Sequence, residues 1–159
     1  MSTAPTPRLN PYKARPAAYK PLLELQAYTD KCGLEASLLE LVKTRASQIN
    51  GCAFCLEMHT REARAAGESE TRLYLLNAWR ESPLYTARER AALEWTEALT
   101  RLAETHAPDS AWEAVKAEFS EAEIVDLTVA IGMINTWNRL AVGFRALHPV
   151  TDEQQRKTA

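Results

Sequence analysis

The hydrophobic residues of this chain recur three and four positions apart along most of its length, which is the spacing of an amphipathic α-helix. Only five glycines interrupt the pattern. We therefore predict an all-α protein. The predicted helices cover residues 19–31, 34–49, 52–66, 69–79 and 86–102, and a short helix opening at Ser110 and a long one opening at Ser120 follow.

Local signals mark where these helices begin and end. A Ser or Thr followed three residues later by Glu is typical of a capping box, which satisfies the first backbone N–H groups of a helix. Ser69 is a further candidate cap, and Gly67 favours a left-handed helix end. The three predicted boxes are Thr86/Glu89, Ser110/Glu113 and Ser120/Glu123.

The last predicted helix, "EIVDLTVAIGMINTWNRLAVGFRAL", is apolar around most of its circumference. A membrane span is one interpretation, but Asp126, Asn135, Asn138 and Arg139 all fall within it, and charged groups in mid-bilayer are costly. We therefore predict a central buried helix and no membrane partner. Because one small domain cannot easily cover such a helix on all sides, we also expect a homo-oligomer.

The composition narrows the class of protein. The net charge is −2, and the basic residues are scattered among acidic ones. Such a surface favours neither nucleic acid nor anionic lipid as a partner. The first 21 residues hold five prolines and no apolar core of a signal peptide. We predict an extended arm over 1–18, one helical domain over 19–150, a flexible tail over 151–159, and a cytoplasmic location.

The candidate chemistry lies in "SQINGCAFCLEMHTREA", at residues 47–63. On a helix, Cys52, Cys55 and His59 fall within roughly 60° of one another, on an inward face. A thiol pair at a helix N-terminus is favoured as thiolate, and a histidine one turn on can accept a proton. A second thiol traps an oxidised sulfur as a disulfide. These features favour a redox-active pair.

Three other interpretations of Cys52, Cys55 and His59 compete with a redox pair. A structural disulfide is disfavoured in a compartment that keeps thiols reduced. A Cys₃His zinc site with Cys32 would need a ligand separated from the motif by an entire helix. A lone inward histidine is most often a satisfied core residue, but two cysteines in register with His59 favour chemistry. We predict no bound metal, and Cys32 as a small apolar residue near a helix end.

No motif for a cofactor or a hydrolytic nucleophile accompanies the thiols. The chain contains no Gly-x-Ser-x-Gly elbow, no phosphate-binding Gly-rich loop and no dinucleotide fingerprint. We therefore predict no cofactor, and electrons supplied by another molecule.

Glu40, "CAFC" and His59 together match the pattern E-x11-C-x2-C-x3-H. In this the chain resembles the AhpD-like alkylhydroperoxidases of the carboxymuconolactone decarboxylase superfamily. "RLNPYKARPAAY" and "INTWNR" resemble its peroxidase-related branch. The resemblance implies an all-helical fold, assembled as a trimer or hexamer, and electrons from a dithiol such as a lipoylated or thioredoxin-like protein.

The resemblance also implies a role for each residue of the motif. Cys55 attacks the peroxide, Cys52 resolves the sulfenic acid as a disulfide, and Glu40 with His59 forms a proton relay. Position at the helix N-terminus alone favours Cys52 as the nucleophile, but the neighbouring base favours Cys55, which we adopt. Phe54 departs from the family, whose well-characterised peroxidases carry a histidine just before the second cysteine.

The helical pattern alone would not select Glu40. It lies opposite the face formed by Leu34, Leu38 and Leu41, where a solvated partner of Lys43 is the default. Its neighbours on that side are small, so another helix can approach and cover it. The small neighbours are Ala36, Ser37, Thr44 and Ser47.

We therefore expect a thiol-dependent peroxidase that reduces organic hydroperoxides in antioxidant defence. A dithiol–disulfide oxidoreductase with little peroxidase activity is the nearest alternative. A lactone decarboxylase of the same superfamily needs no thiol pair, so Cys52 and Cys55 disfavour it. The non-enzymatic alternative is a zinc-stabilised helical oligomerisation module.

Overall fold

The computed structural model describes residues 5–150, and within them it is all-helical, with 73% helix and no strand. This confirms the predicted fold class. The α-helices of this part of the chain, in order, are α1 (Pro11–Ala14), α2 (Pro16–Thr29), α3 (Ala36–Asn50), α4 (Ala53–Ala65), α5 (Glu70–Leu75), α6 (Ala87–Thr100), α7 (Leu102–Thr105), α8 (Asp109–Glu118) and α9 (Glu121–Phe144), with a 3-10 turn at Leu76–Ala78 after α5.

The prediction of an extended arm over 1–18 is wrong where α1 and the first turn of α2 form. The Asn10 side chain accepts the Lys13 N–H at 3.1 Å, and Pro11 supplies a preset φ at the first helical position. Prolines that suggested an extended segment therefore begin helices. The Arg8 N–H also donates to the Phe144 carbonyl at 3.0 Å, which ties this segment to the end of α9. The predicted tail at 151–159 lies outside the described residues.

Most predicted helix ends are confirmed. Both bonds of the capping box form at Thr86 and at Ser120, and Ser69 caps α5. The prediction of a capping box at Ser110 is wrong, because α8 begins at Asp109 after Pro108, with no side-chain cap. The short α7 was not predicted.

The long helix α9 runs through the centre of the fold, where it packs against α2, α3, α4, α6 and α8. Its buried face carries apolar side chains together with two nearly inaccessible amides, Asn135 and Asn138. The opposite face, with Val125 and Arg139, is exposed. Within the described chain, no helix has both the length and the apolar character that crossing a bilayer requires. Helices α3, α4 and α9 together position the cysteine motif.

Candidate functional site

The two cysteines of the motif lie at the sharp connection between α3 and α4. Gly51, at φ 65°, ends α3 in the left-handed conformation that glycine adopts readily. Cys52 is the N-cap of α4, and its sulfur accepts the backbone N–H of Cys55 at 3.3 Å. The Cys52 N–H in turn donates to the Ser47 carbonyl at 3.0 Å. The turn therefore fixes both sulfurs at a helix N-terminus.

The predicted inward face of α4 is confirmed. Cys52, Cys55 and His59 are 1%, 2% and 5% exposed, respectively. The cysteines pack against Ile134 and, more loosely, Trp137 of α9. All three cysteines of the chain carry free thiols.

An open cavity of about 860 Å³ gives the two cysteines different surroundings. Cys55, His59 and Glu40 line it, whereas Cys52 does not. Cys55 is therefore the sulfur that a small molecule in the cavity meets first, and Cys52 lies behind it. Most of the cavity wall is apolar, including Leu9, Tyr12, Leu23, Trp137, Leu140 and Phe144.

Glu40 and His59 are paired within this cavity. His59 Nδ1 lies 3.0 Å from a carboxylate oxygen of Glu40, and Lys43 Nζ lies 3.1 Å from the other oxygen. The Glu40 side chain is only 15% exposed, because its carboxylate lies against His59 of α4 and Lys43 of α3. Glu40 is thus a partner of Lys43, but it is covered rather than solvated, and its other carboxylate oxygen is aimed at His59.

The charge on Glu40 fixes the orientation of this pair. Burial alone would raise the pKa of Glu40, but the hydrogen bond with His59 and the charge of Lys43 outweigh it, so the pKa lies below its usual value. An ionised carboxylate only accepts hydrogen bonds, so His59 Nδ1 carries a hydrogen and donates it. Nε2 is then the ring nitrogen left to exchange a proton with a ligand in the cavity.

The two thiols share one proton. A hydrogen bond from the Cys55 thiol is the main reason why the pKa of Cys52 falls from 9.0 to about 7, and the Cys55 backbone N–H adds to the effect. The same hydrogen bond, followed by burial, raises the pKa of Cys55. Of the two thiols, Cys52 is therefore the one that ionises first, as the pH rises through about 7, while Cys55 keeps its proton.

A network of polar side chains that sequence reasoning did not assign to the site lies between α3 and α9. Asn50 Nδ2 donates to Asn135 Oδ1 at 3.0 Å and to Asn138 Oδ1 at 2.9 Å. Asn138 Nδ2 donates to Ser47 Oγ at 3.0 Å. The available signal was the pair of amides three residues apart in an otherwise apolar helix, in "INTWNR".

Cys32 lies apart from the motif. It is half-buried after α2, and its thiol donates to the Thr29 carbonyl at 3.1 Å. Over residues 5–150, the side chains that bring three potential metal ligands together are Glu40, His59 and Glu62, without any cysteine. The alternative zinc site, with Cys32, Cys52, Cys55 and His59 as ligands, is therefore not assembled. Glu62 Oε2 lies 3.7 Å from His59 Nδ1, a nitrogen already engaged by Glu40.

The sequence of this chain is similar to those of known proteins. The sequence profile described as "Carboxymuconolactone decarboxylase family" matches residues 16–98. The uncharacterised protein YdfG of Bacillus subtilis strain 168 is 39% identical over 135 residues, which cover 85% of this chain and 92% of YdfG.

Solved structures share the fold. One, from Agrobacterium tumefaciens, is of a protein of unknown function suggested to be the antioxidant defence protein AhpD; it is 54% identical, covers 92% of this chain and 100% of its own, and has a TM-score of 0.90. The debrominase Bmp8 is 16% identical, with a TM-score of 0.78 over 87% of this chain and 74% of its own. At that identity, the likeness to Bmp8 concerns the fold alone.

Proposed function

This protein belongs to the carboxymuconolactone decarboxylase family, and from that premise we propose that it is a thiol-dependent peroxidase that reduces organic hydroperoxides in antioxidant defence. The observation that carries the proposal is the arrangement of Cys55, His59 and Glu40 around one apolar cavity, with Cys52 directly behind Cys55. A nucleophile, a proton relay and a resolving thiol are the three parts that such a reaction needs.

The first step oxidises Cys55. The shared proton moves along the existing hydrogen bond to Cys52, which leaves the charge on the sulfur that faces the cavity. The Cys55 thiolate attacks the terminal oxygen of the hydroperoxide, so an S–O bond forms as the O–O bond breaks. The alkoxide that leaves takes a proton from protonated His59, which Glu40 holds in place. The products are the Cys55 sulfenic acid and an alcohol.

The second step forms the disulfide. His59, now neutral, accepts the proton of Cys52, and the resulting thiolate attacks the Cys55 sulfur. The hydroxide that leaves takes that proton back from His59, so water is released and a Cys52–Cys55 disulfide remains. The N-cap position of Cys52 and its lowered pKa favour it as the attacking thiolate at this stage.

An external dithiol completes the cycle. It transfers two electrons and two protons to the disulfide and is itself oxidised to a disulfide, which restores both thiols. The proton of Cys52 then passes to His59, which returns the site to its starting state. A lipoylated or thioredoxin-like protein of the cytoplasm is the donor that we propose. A trimeric or hexameric assembly is part of the same proposal.

The test is turnover of cumene hydroperoxide and hydrogen peroxide, each with dihydrolipoamide and with thioredoxin as the electron donor. We expect cumene hydroperoxide to be reduced faster than hydrogen peroxide, because the cavity wall is largely apolar. Cys55→Ser is the matched control and should be inactive with every pair. If neither peroxide is consumed by a protein whose Cys52 and Cys55 are both reduced, the peroxidase proposal is wrong.

Phe54 favours a second candidate, a dithiol–disulfide oxidoreductase with little peroxidase activity. Its ring packs against the thiol cluster and lines the cavity, where it can neither donate nor accept a proton. The same assay separates the two functions. A dithiol–disulfide oxidoreductase would exchange its Cys52–Cys55 disulfide with the donors at full rate and leave both peroxides unconsumed.

A further inference from the structure

The polar network between α3 and α9 comes next to the reactive pair at Asn138, whose Nδ2 donates to Ser47 Oγ, while the Ser47 carbonyl accepts the Cys52 N–H. Ile134, Trp137 and Ala141 of α9 pack against the cysteine cluster, and Asn138 lies on the same helical face. Its side chain is 1% exposed. An amide buried beside two sulfurs is costly unless each of its hydrogens finds an acceptor.

The orientation of this amide follows from its neighbours. The Ser47 hydroxyl donates its hydrogen to the Lys43 carbonyl at 2.8 Å, so Ser47 Oγ is an acceptor toward Asn138. The group that faces Ser47 must therefore be the NH₂ of Asn138. Its carbonyl oxygen accepts from Asn50 Nδ2. One of the two Nδ2 hydrogens remains without an oxygen acceptor among the described residues, on the face of α9 that packs against the two cysteines.

The Asn138 amide affects the pKa of both thiols. The interaction with Asn138 lowers the pKa of Cys52, where the Cys55 hydrogen bond is the larger cause. Asn138, followed by Ser47, also opposes the rise in the pKa of Cys55 that the Cys52 contact and burial produce. An N–H dipole stabilises a thiolate far more than a neutral thiol, because the charged acceptor forms the stronger hydrogen bond.

We propose that Asn138, held by Asn50 and Ser47, is a positioning residue that stabilises the single negative charge of the cysteine pair on either sulfur. The inference rests on the proposed function only in taking Cys52 and Cys55 as the reactive pair. Because one fixed donor serves both sulfurs, the charge can move from Cys52 to Cys55 without any rearrangement of the surrounding dipoles.

The test is the pH dependence of alkylation of the full-length reduced protein by iodoacetamide. Trypsin cleaves after Arg45 and Arg61, so Cys52 and Cys55 share one peptide, separate from that of Cys32, and fragment ions distinguish them. Asn138→Leu removes the donor at similar volume. Asn50 keeps its bond to Asn135, and Ser47 keeps its bond to the Lys43 carbonyl, so the fold should survive.

We expect Asn138→Leu to raise the pH midpoint of the first thiolate by about one unit, the size that a hydrogen bond to a charged group implies. Asn135→Leu is the matched control. It removes a buried amide of the same network, one turn earlier on α9, that donates to Thr100 Oγ1 and the Ile131 carbonyl. Its midpoint should equal that of the unsubstituted protein.

Every variant keeps the other ionisable groups near the pair. They are Tyr19 from α2, Asp30 just after it, Glu40 and Lys43 from α3, His59 and Glu62 from α4, and Arg139 from α9. Arg139 loses its bond to the Asn135 side chain in the control, but it is exposed and keeps its bond to the Asn135 carbonyl.

Asn138→Asp keeps the shape of the side chain and changes only its chemistry. Asn50 can still donate to one oxygen, and the Ser47 hydroxyl can turn to donate to the other. A carboxylate beside the sulfurs should raise the midpoint further than Asn138→Leu does. Unchanged midpoints in both Asn138 variants, or an equal shift in Asn135→Leu, would overturn the inference. Because alkylation needs no peroxide, either result is independent of whether the protein is a peroxidase.

Discussion

At the scale of single residues, the site divides two properties of a reactive cysteine between two side chains. Cys52 has the lower pKa, about 7, because it accepts a hydrogen bond from the other thiol and, as the N-cap of α4, a second one from the Cys55 backbone N–H. Cys55 faces the cavity together with His59. In the proposed reaction, the sulfur that ionises first is thus not the sulfur that meets the substrate, and proton transfer between the two thiols links these properties.

The assignment of Cys55 as the nucleophile leads to a prediction that separates the roles of the cysteines. Cys55→Ser should abolish peroxide reduction and the trapping of a sulfenic acid. Cys52→Ser should allow one oxidation of Cys55, which then proceeds to sulfinic acid because no resolving thiol remains. Mass spectrometry of the peroxide-treated variants measures both outcomes. Sulfenic acid on Cys52 in the Cys55→Ser variant would reverse the assignment.

The relay leads to a second prediction at this scale. Glu40→Gln and His59→Gln should lower peroxide turnover by ~10²–10⁴-fold, the range of a general acid–base group, while the fold stays intact. Both should also move alkylation of Cys55 to higher pH. Glu62→Gln is the matched control, because Glu62 approaches the same His59 nitrogen at 3.7 Å but is half-exposed. Superimposable pH profiles for all three variants and the unsubstituted protein would exclude a relay.

Sequence reasoning selected the thiols and His59 from spacing, but it selected Glu40 only from a resemblance. The reason is physical: a helical wheel of α3 shows which residues share a face, and not which helix covers that face. Helix α4 packs against α3 and brings His59 to Glu40, whereas two of its small neighbours, Ala36 and Ser37, stay exposed. Asn138 was missed for the same reason, because its role depends on where the α3–α4 turn meets α9.

At the scale of elements, identical capping patterns had different outcomes. Both bonds of the capping box form at Ser120, and Arg88 Nη2 also donates to Glu123 Oε1 at 2.6 Å. At Ser110 the box does not form, because the Pro108 carbonyl already accepts the N–H groups of Ala111 and Trp112. The helix begins at Asp109, and Ser110 lies within its first turn. A four-residue pattern therefore predicts a cap only where the preceding residues leave its position free.

This difference leads to a prediction about stability and pH. Hydrogen bonds from Ser120, first through its backbone and then its side chain, lower the pKa of Glu123 from 4.5 to about 2. A lowered carboxyl pKa stabilises the fold above pH 4.5, and the contribution is lost as the pH falls toward 2. Glu123→Gln should therefore lower the urea concentration at the unfolding midpoint at pH 7. The difference in midpoint from the unsubstituted protein should shrink steadily as the pH falls from 4.5 to 2.

Glu113→Gln is the matched control for the capping prediction, since Glu113 has the same sequence pattern without a box. It is exposed, and among residues 5–150 its side chain bonds only to Lys116, at 3.2 Å. Its free energy of unfolding should stay within about 0.5 kcal/mol of the unsubstituted protein at each pH. An equal loss in the two variants at pH 7 would mean that the box at Ser120 adds nothing to stability.

At the scale of the whole molecule, the predicted burial of α9 is achieved in part within a single chain. Five helices pack against it, so much of its apolar surface is already buried. Two large apolar side chains remain on its exposed side: Val125 is 61% exposed and Val142 is 47% exposed. The entrance of the cavity adds further apolar side chains, from Leu9, Leu23 and Leu147. Surface of this kind is typical of a subunit interface.

We therefore predict a trimer or hexamer in sedimentation at micromolar concentration. Val125→Glu and Val142→Glu should each weaken the assembly, because an unpaired charge buried between subunits loses its hydration without gaining a partner. Tyr74→Glu is the control, since Tyr74 lies on α5 and is 70% exposed. A monomer in the unsubstituted protein would exclude the assembly. If the assembly forms but survives both valine substitutions, the interface uses another surface, and the cavity entrance near Leu23 is the next to test.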